Sequence, residues 1–229
     1  YEVAAAGALG AGAAFHTLRY TGATGTVSGA CQADGLMNCG SGALTMSGPV
    51  VIGPKQELAV VLPVNNLTLS APVSNSIMGA SSITKTGSGQ LNLDGQCQFT
   101  GPTTIAEGTL KLGATFAGGN YPGNIYFGNG SVLQVNTGSA QTFTGALSGG
   151  GMIDRWNGGV LTLAGSNSFS GVVQINAGAV KVAHAAALGA TSGSTLLKRY
   201  DDGNRGRLEL NGFSVSEPMS FEDSGNAGT

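Results

Sequence analysis

The residues of this sequence that could bind or transform a ligand are concentrated between positions 198 and 209. This segment, KRYDDGNRGRLE, holds seven of the 22 charged residues in a chain of 229. Loops that a rigid scaffold positions are where binding residues concentrate. The candidate binding residues of the segment are Lys198, Arg199, Tyr200, Asp201, Asp202, Arg205 and Arg207. Because four basic residues accompany three acidic ones, the alternative is a solvated loop whose charges neutralise each other.

The carboxylates give no sign of a catalytic pair. Enzymes that cleave polysaccharides need two carboxyl groups that converge on one bond. Among the aspartates only Asp201 and Asp202 are adjacent, and neighbouring residues of a strand point to opposite faces. The two could act together only from a loop, where an ordinary polar turn explains them as well. The sequence therefore predicts a protein that is not an enzyme.

The cysteines and histidines offer redox or metal chemistry only in principle. Cys31 and Cys39 flank the short polar stretch QADGLMN, which favours a disulfide between them in an oxidising compartment. The alternative is three buried thiols in a reducing compartment, and Cys97 has no evident partner. Because His16 and His184 do not lie at ligand spacing from a cysteine, we predict no metal ion and no other cofactor.

Trp156 is the single tryptophan of the chain and lies in the polar stretch DRWNGG. An indole ring in such a place either packs at a corner of the fold or offers a flat surface on which a sugar stacks. We therefore keep Trp156 as a candidate sugar-stacking residue beside the candidate binding loop.

Composition excludes several partners. Charged residues make up 10% of the chain and its net charge is −2, so there is no basic stripe for nucleic acid and no polybasic segment for anionic lipid. No apolar run approaches the roughly 18 residues of a transmembrane helix. A hydrophobic content of 41%, much of it alternating with polar residues, is nevertheless high enough for the chain to fold.

The elements that must position these residues are short strands arranged in an internal repeat. Apolar residues alternate with polar ones in GQLNLDGQCQFTGPTTIAEGTLKLG at 89–113, and a second copy, GVLTLAGSNSFSGVVQINAGAVKVA, lies at 159–183. Residues 83–112 align without a gap on 153–182, with ten identities in thirty positions. A constant offset of 70 favours a solenoid over a sandwich, because each coil of a solenoid stacks on the previous one.

This pattern predicts an all-β parallel β-helix with roughly three coils of about 23 residues in each 70-residue unit. Glycines should mark the corners, where a positive φ or a close backbone approach excludes a Cβ atom. We expect residues 1–39 to form an irregular lead-in or capping coil and residues 40–229 to form the β-helix. The predicted inward ladder consists of Leu91, Leu93, Ile105, Leu110 and Leu112 and their counterparts Leu161, Leu163, Ile175, Val180 and Val182.

Both copies resemble the passenger-associated repeat of bacterial autotransporters, whose consensus runs roughly GxGxLtLsGxNtYtGgTtInaGtLxv. The stretch GGVLTLAGSNSFSGVVQINAGAVKV is similar throughout. The stretch GSGQLNLDGQCQFTGPTTIAEGTLKL departs from the consensus at two positions, with Cys97 in place of the usual asparagine and Phe99 at the position of the consensus aromatic residue, tyrosine. The resemblance implies a right-handed β-helix passenger region that is secreted or displayed on the bacterial surface. It is much less specific for what such a passenger does.

Three functions are compatible with these observations. The first is a structural and adhesive segment that contacts a host or cell-surface ligand. The second is a subunit that associates with itself through its terminal coils and forms an extracellular fibre, since a solenoid has an unpaired strand edge at each end. The third is a polysaccharide-cleaving enzyme of the β-helix type. The chain begins without methionine and ends inside the repeat pattern, so we expect a longer parent protein.

Overall fold

Short strands separated by glycine, proline and polar corners form nearly the whole chain. The structure is a computed structural model that describes residues 1–200 and 205–223. Its strands are β1 (Glu2–Val3), β2 (Gly7–Ala8), β3 (Ala13–Tyr20), β4 (Gly25–Ser28), β5 (Cys31–Asn38), β6 (Leu44–Met46), β7 (Val50–Ile52), β8 (Glu57–Val61), β9 (Leu67–Leu69), β10 (Val73–Ser74), β11 (Ser82–Thr86), β12 (Gln90–Leu93), β13 (Cys97–Gln98), β14 (Thr103–Ile105), β15 (Thr109–Leu112), β16 (Asn120–Tyr121), β17 (Ile125–Phe127), β18 (Val132–Val135), β19 (Gln141–Phe143), β20 (Leu147–Gly149), β21 (Met152–Arg155), β22 (Val160–Leu163), β23 (Val172–Ile175), β24 (Gly178–Val182), β25 (Ser194–Arg199), β26 (Gly206–Glu209) and β27 (Met219–Asp223).

Helix is almost absent from the described ranges, where a 3-10 turn at Ala117–Gly119 is the only helical element. None of the helical structure in that part of the chain has the length and hydropathy needed to cross a membrane. The expectation of an all-β protein is therefore confirmed.

Within the described ranges the strands pair in parallel and form three sheets. The second sheet is the most regular, with the strand order β2-β4-β6-β9-β12-β15-β18-β21-β23-β25-β27. The first sheet divides at β5, because its first half pairs with β7 and its second half pairs with β8. One branch continues as β10 and β13, the other as β11, β14, β17 and β20. The third sheet has the order β16-β19-β22-β24-β26.

Successive strands of one sheet belong to successive coils, so the chain is a parallel β-solenoid of about ten turns. The register of the second sheet gives the coil length directly. Leu67 pairs with Leu91 and Leu91 pairs with Leu110, so the first of these two coils is longer than the second. Coils differ in length because the corners hold different numbers of residues, whereas the paired strands keep one register.

The expectation of three coils in each repeat unit is not confirmed. From Leu91 the ladder passes through Leu110 and Leu133 to Ile153, so three coils are complete before the chain reaches Leu161. Leu161 is the repeat counterpart of Leu91, and it lies in β22 of the third sheet. The repeat offset therefore corresponds to three coils plus one side of the solenoid. The two copies have the same inward pattern, but they are rotated onto neighbouring sides.

The inward ladder itself is confirmed. All ten residues predicted to point inward are buried, none with more than 2% of its surface exposed. Aromatic rings fill one part of the core, where Phe116 stacks on Tyr121 with 4.0 Å between ring centroids and Phe99 packs edge-on against both. Burial of such side chains is the main driving force for stacking the coils.

Repeat-related glycines occupy the corners, as expected. Gly108 and its counterpart Gly178 have φ values of 66° and 70°, which side chains with a Cβ atom rarely adopt. At Gly95 and Gly165 the reason is space, since a Cβ atom there would collide with the backbone of Ala71 and Gly145 in the preceding coil.

Residues 1–39, for which the sequence predicts an irregular lead-in, contain the strands β1 to β5. The long strands β3 and β5 pair from Ala13 with Cys31 to Tyr20 with Asn38, and β2 pairs with β4 in the second sheet. Parallel pairing therefore starts before residue 40.

The predicted Cys31–Cys39 disulfide is not present, because Cys31, Cys39 and Cys97 are free thiols. Cys31 begins β5 and Cys39 follows its last residue, so an eight-residue strand at about 3.3 Å per residue separates them by about 26 Å. A disulfide needs Cα atoms within about 7 Å. The polar stretch between the two cysteines, which suggests a loop in the sequence, is strand.

Candidate functional site

A buried carboxylate organises the outer surface of the second sheet near Trp156. Asp154 lies in β21, is 7% exposed and accepts hydrogen bonds at both oxygens. Its Oδ2 accepts from Trp156 Nε1 at 2.7 Å and from Gln134 Nε2 at 3.1 Å. Its Oδ1 accepts from the amide groups of Gln174 and Asn176. These four donors compensate the burial of the carboxylate and fix the orientation of the indole ring.

The structure brings two of the predicted site residues together. Tyr200 follows the last residue of β25, and its hydroxyl donates to Asn176 Oδ1 at 2.8 Å. The Tyr200 and Trp156 ring centroids are 5.9 Å apart, with 32° between the ring planes. Asn176, which contacts Tyr200 and shares Asp154 with Trp156, is completely buried. We call Trp156 and Tyr200 the aromatic pair. Both rings are half-buried, so part of each remains accessible.

The charged residues of the predicted binding loop are largely paired. Lys198 Nζ lies 3.4 Å from Glu222, and Arg199 lies 3.6 Å from Asp223. Arg207 lies 3.2 Å from Glu209 on the same strand. These contacts are of the self-neutralising kind that the sequence left open as the alternative. Exposed pairs of this type contribute little to stability.

The other residues of the predicted loop are placed only in part. Arg205 is exposed and forms an isolated antiparallel bridge with Arg199. Together with Leu197 and Phe221 these two arginines line an open groove of about 250 Å³. Asp201 and Asp202 lie outside the described residues, so the structure does not say whether they approach the aromatic pair.

A buried cation occupies the same position in both repeat copies, and the sequence analysis missed it. Lys85 and Arg155 are separated by the repeat offset, and both are completely buried. Lys85 Nζ donates to the carbonyl oxygens of Gly87 and Glu107. Glu107 belongs to the next coil, so the ammonium group joins two coils at one corner.

Arg155 performs the same task with more donors. Its guanidinium donates to the carbonyl oxygens of Val135 at 2.8 Å, Thr137 at 3.1 Å and Trp156. Neither cation forms an ion pair with a carboxylate in the described part of the chain. We call Lys85 and Arg155 the corner cations.

Burial changes the proton affinity of both corner cations. Desolvation lowers the pKa of Lys85 from 10.5 to about 8, while the Glu107 carboxylate acts in the opposite direction. Desolvation also lowers the pKa of Arg155. Aligning position 85 with position 155 in the two copies would have revealed this pair of basic residues, because few other positions of the repeat carry charge.

One histidine–carboxylate pair lies elsewhere, near the beginning of the solenoid. His16 Nδ1 is 3.2 Å from Asp34 Oδ2, and Asp34 is 7% exposed. The two residues help line a cavity of about 160 Å³. The described residues contain no hydroxyl or thiol hydrogen-bonded to His16, so this pair lacks the nucleophile of a catalytic triad. Nor does that part of the chain contain a group of three or more residues that could hold a metal ion.

The fold and the site together define a class: a parallel β-solenoid whose outer surface carries a buried aspartate with polar neighbours and the aromatic pair of Trp156 and Tyr200. Two stretches of the chain, residues 83–112 and 156–182, match the family model of the passenger-associated-transport-repeat. The chain thus carries two repeats of the kind found in autotransporter passengers, as the sequence resemblance implies. The curated proteins show no match to the chain, and the solved structures show none either.

Proposed function

We propose that the chain is a segment of a secreted or surface-displayed autotransporter passenger, a right-handed β-helix that acts as a non-enzymatic scaffold and adhesin. The observation that carries the proposal is the position of the two passenger repeats inside an uninterrupted stack of parallel coils. A stack of this kind presents a long, regular outer surface to a partner. Residues 1–39 would form the capping end of the scaffold and residues 40–229 its main part.

The outer surface supports a binding role because its side chains form rows that run from coil to coil, and we call each such row an outward rank. Along the second sheet one rank of outward residues runs from coil to coil, paired in register as Thr45, Thr68, Asn92, Lys111, Gln134, Asp154 and Gln174. Neighbouring members are about 4.8 Å apart, the spacing of paired strands. These residues are mostly half-buried and polar, which suits contacts with an extended ligand better than chemistry on a single bond.

Surface display and adhesion are tested separately. Antibodies raised against the 229-residue protein should label intact cells that produce it, and external protease should remove the label while a cytosolic marker survives. Fluorescently labelled protein should bind to cells or cell-wall preparations in a saturable manner. A label that appears only after the cells are permeabilised would contradict display, and absence of saturable binding would contradict adhesion.

The enzymatic alternative has a direct test. The purified protein should release no reducing ends from pectin-like or other acidic polysaccharides. If it does, and if replacement of His16 or Asp34 abolishes the activity, the scaffold assignment fails and the His16–Asp34 pair becomes the active site.

End-to-end assembly into a fibre is the second candidate function, and one observation favours it. Met219 and Phe221 of β27 pair in register with inward positions of β25, yet they are 47% and 79% exposed. A strand added beyond β27 would cover both side chains. If the fibre exists, light scattering should show particles that grow with concentration, and Phe221→Ser should reduce this growth. A strictly monomeric protein at high concentration would contradict it.

A further inference from the structure

The aromatic pair is held rigid before any ligand arrives. The indole N–H of Trp156 is bound by Asp154, and the Trp156 carbonyl oxygen accepts from the buried guanidinium of Arg155. The Tyr200 hydroxyl is bound by Asn176. The indole ring cannot rotate, and the Tyr200 side chain cannot change its χ1 rotamer, without breaking a hydrogen bond to a buried partner. Rigid aromatic surfaces bind ligands with a smaller loss of conformational entropy than mobile ones.

Hydrogen-bond acceptors lie beside the rings. Gln134 and Gln174 each donate from the amide nitrogen to Asp154, and within the described part of the chain their Oε1 atoms accept no hydrogen bond. Both side chains are half-buried. They flank Asp154 on the preceding and following coils, so their backbones are about two strand spacings, roughly 10 Å, apart. A flat apolar surface with a few fixed polar groups is the usual composition of a small-ligand site.

We propose that the aromatic pair, with Gln134 and Gln174, binds a neutral oligosaccharide, an inference that rests on the adhesive role proposed above. The C–H face of a pyranose ring stacks on Trp156 and Tyr200, and its hydroxyl groups donate to the two glutamine Oε1 atoms.

The charges around the site favour a neutral ligand over an acidic one. Asp154 places a negative charge at the N–H edge of the indole ring, where it repels an anion. Two lysines lie on the outer face of this sheet: Lys198 is paired with Glu222, and Lys111 pairs in register with Gln134, two strand spacings from Asp154. Arg155 is completely buried and directs its Nη donors to backbone carbonyls. The charge nearest the indole ring is therefore the Asp154 carboxylate, which repels a uronic acid.

The site carries its own reporter, because Trp156 is the only tryptophan of the protein. The experiment is a fluorescence titration of the 229-residue protein with linear oligosaccharides of glucose, mannose and galactose, and with oligogalacturonate. At least one neutral series should change the emission with a saturable curve. Tyr200→Ala should weaken that binding by about tenfold or more, as expected for the loss of one stacked ring. Tyr200→Phe, which keeps the ring, should stay within a few-fold of the wild type.

Tyr126→Ala is the matched control. Tyr126 is 52% exposed and lies in β17 of the first sheet, on another side of the solenoid, so its removal should leave the titration unchanged. The proposal is overturned if no neutral oligosaccharide produces a saturable change up to millimolar concentration, or if Tyr200→Ala binds as tightly as the wild type. Equal or tighter binding of oligogalacturonate overturns the assignment of a neutral ligand.

Failure of the site and failure of the adhesive role give different results. If the wild type and Tyr200→Ala bind equally well to cells and neither responds to oligosaccharide, adhesion stands and the aromatic site is rejected. If the wild type binds oligosaccharide but no cell or cell-wall preparation, the site stands and the adhesive role is rejected.

Discussion

Replacing Lys85 by methionine should destabilise the protein, because the carbonyl oxygens of Gly87 and Glu107 lose their donor. Methionine fills a similar volume and adapts to irregular space, but it donates no hydrogen bond. A buried acceptor left without a partner costs about 1–3 kcal/mol. Removing a buried charge returns part of this loss. We therefore expect the free energy of unfolding to fall by about 2 kcal/mol near pH 7.

The cost of this substitution should grow with pH. The unfolded chain holds the lysine proton up to its ordinary pKa of 10.5, whereas the folded chain releases it near pH 8. Between these values the unfolded state binds more protons, so the free energy of unfolding of the wild type rises with pH. The methionine variant lacks this contribution. The difference between the two proteins should increase by up to about 3 kcal/mol between pH 7 and 10.5, at 1.36 kcal/mol per pKa unit.

Urea unfolding followed by circular dichroism, repeated across this pH range, measures the difference. Lys85→Arg is the matched control, because arginine occupies the equivalent position 155, where burial lowers its pKa only to about 10, so it keeps its proton from pH 7 to 9 while Lys85 titrates near pH 8. Over pH 7 to 9 the difference in unfolding free energy between the arginine and methionine variants should stay constant. If the difference in unfolding free energy between the wild type and the methionine variant stays constant or shrinks as the pH rises, Lys85 is not a desolvated cation and the reasoning is refuted.

Two further predictions follow from burial. Leu163→Asp should lower the free energy of unfolding by several kcal/mol, since it places a carboxylate without a partner inside the ladder. Thr162→Asp, on the outer face, should lower it by under about 1 kcal/mol. Equal melting temperatures for the two variants would contradict the inward assignment of Leu163. In a thiol titration, Cys39 should react in the native protein, whereas Cys31 and Cys97 should react only after unfolding. Cys31 and Cys97 are buried, and burial raises the pKa of their thiols. A native protein in which none or all three of the thiols react would contradict the structure.

The inward ladder was predictable because period-2 alternation assigns each residue to a face without knowledge of its neighbours. Leu91 and Leu161 are both recognisable as buried in this way. The way the coils stack was not predictable from the offset alone. The number of residues at each corner decides which strand stacks on which. The offset alone does not indicate that Ile83 lies in the first sheet and its repeat counterpart Ile153 in the second.

The candidate site shows the same division between local and long-range information. Trp156 and Tyr200 could be chosen from residue type, but their contact depends on the one coil between them, which carries β23 and Asn176. Asp154 could not be singled out, since a lone aspartate in a strand gives no sign of four converging donors. The polar stretch after Cys31 misled for a related reason. Its residues pair with strands on both sides, and this pairing overrides their local preference for a loop.

The central claim, that the chain is a stack of parallel coils in the register described, is tested most directly by distances along one outward rank. Nitroxide labels on Thr45 and Gln134, and on Thr45 and Gln174, can be measured by double electron–electron resonance in a Cys39→Ser background. The register places four strand spacings between the first pair and six between the second. The backbone separations should therefore be about 19 Å and about 29 Å. A second distance no longer than the first would contradict the solenoid.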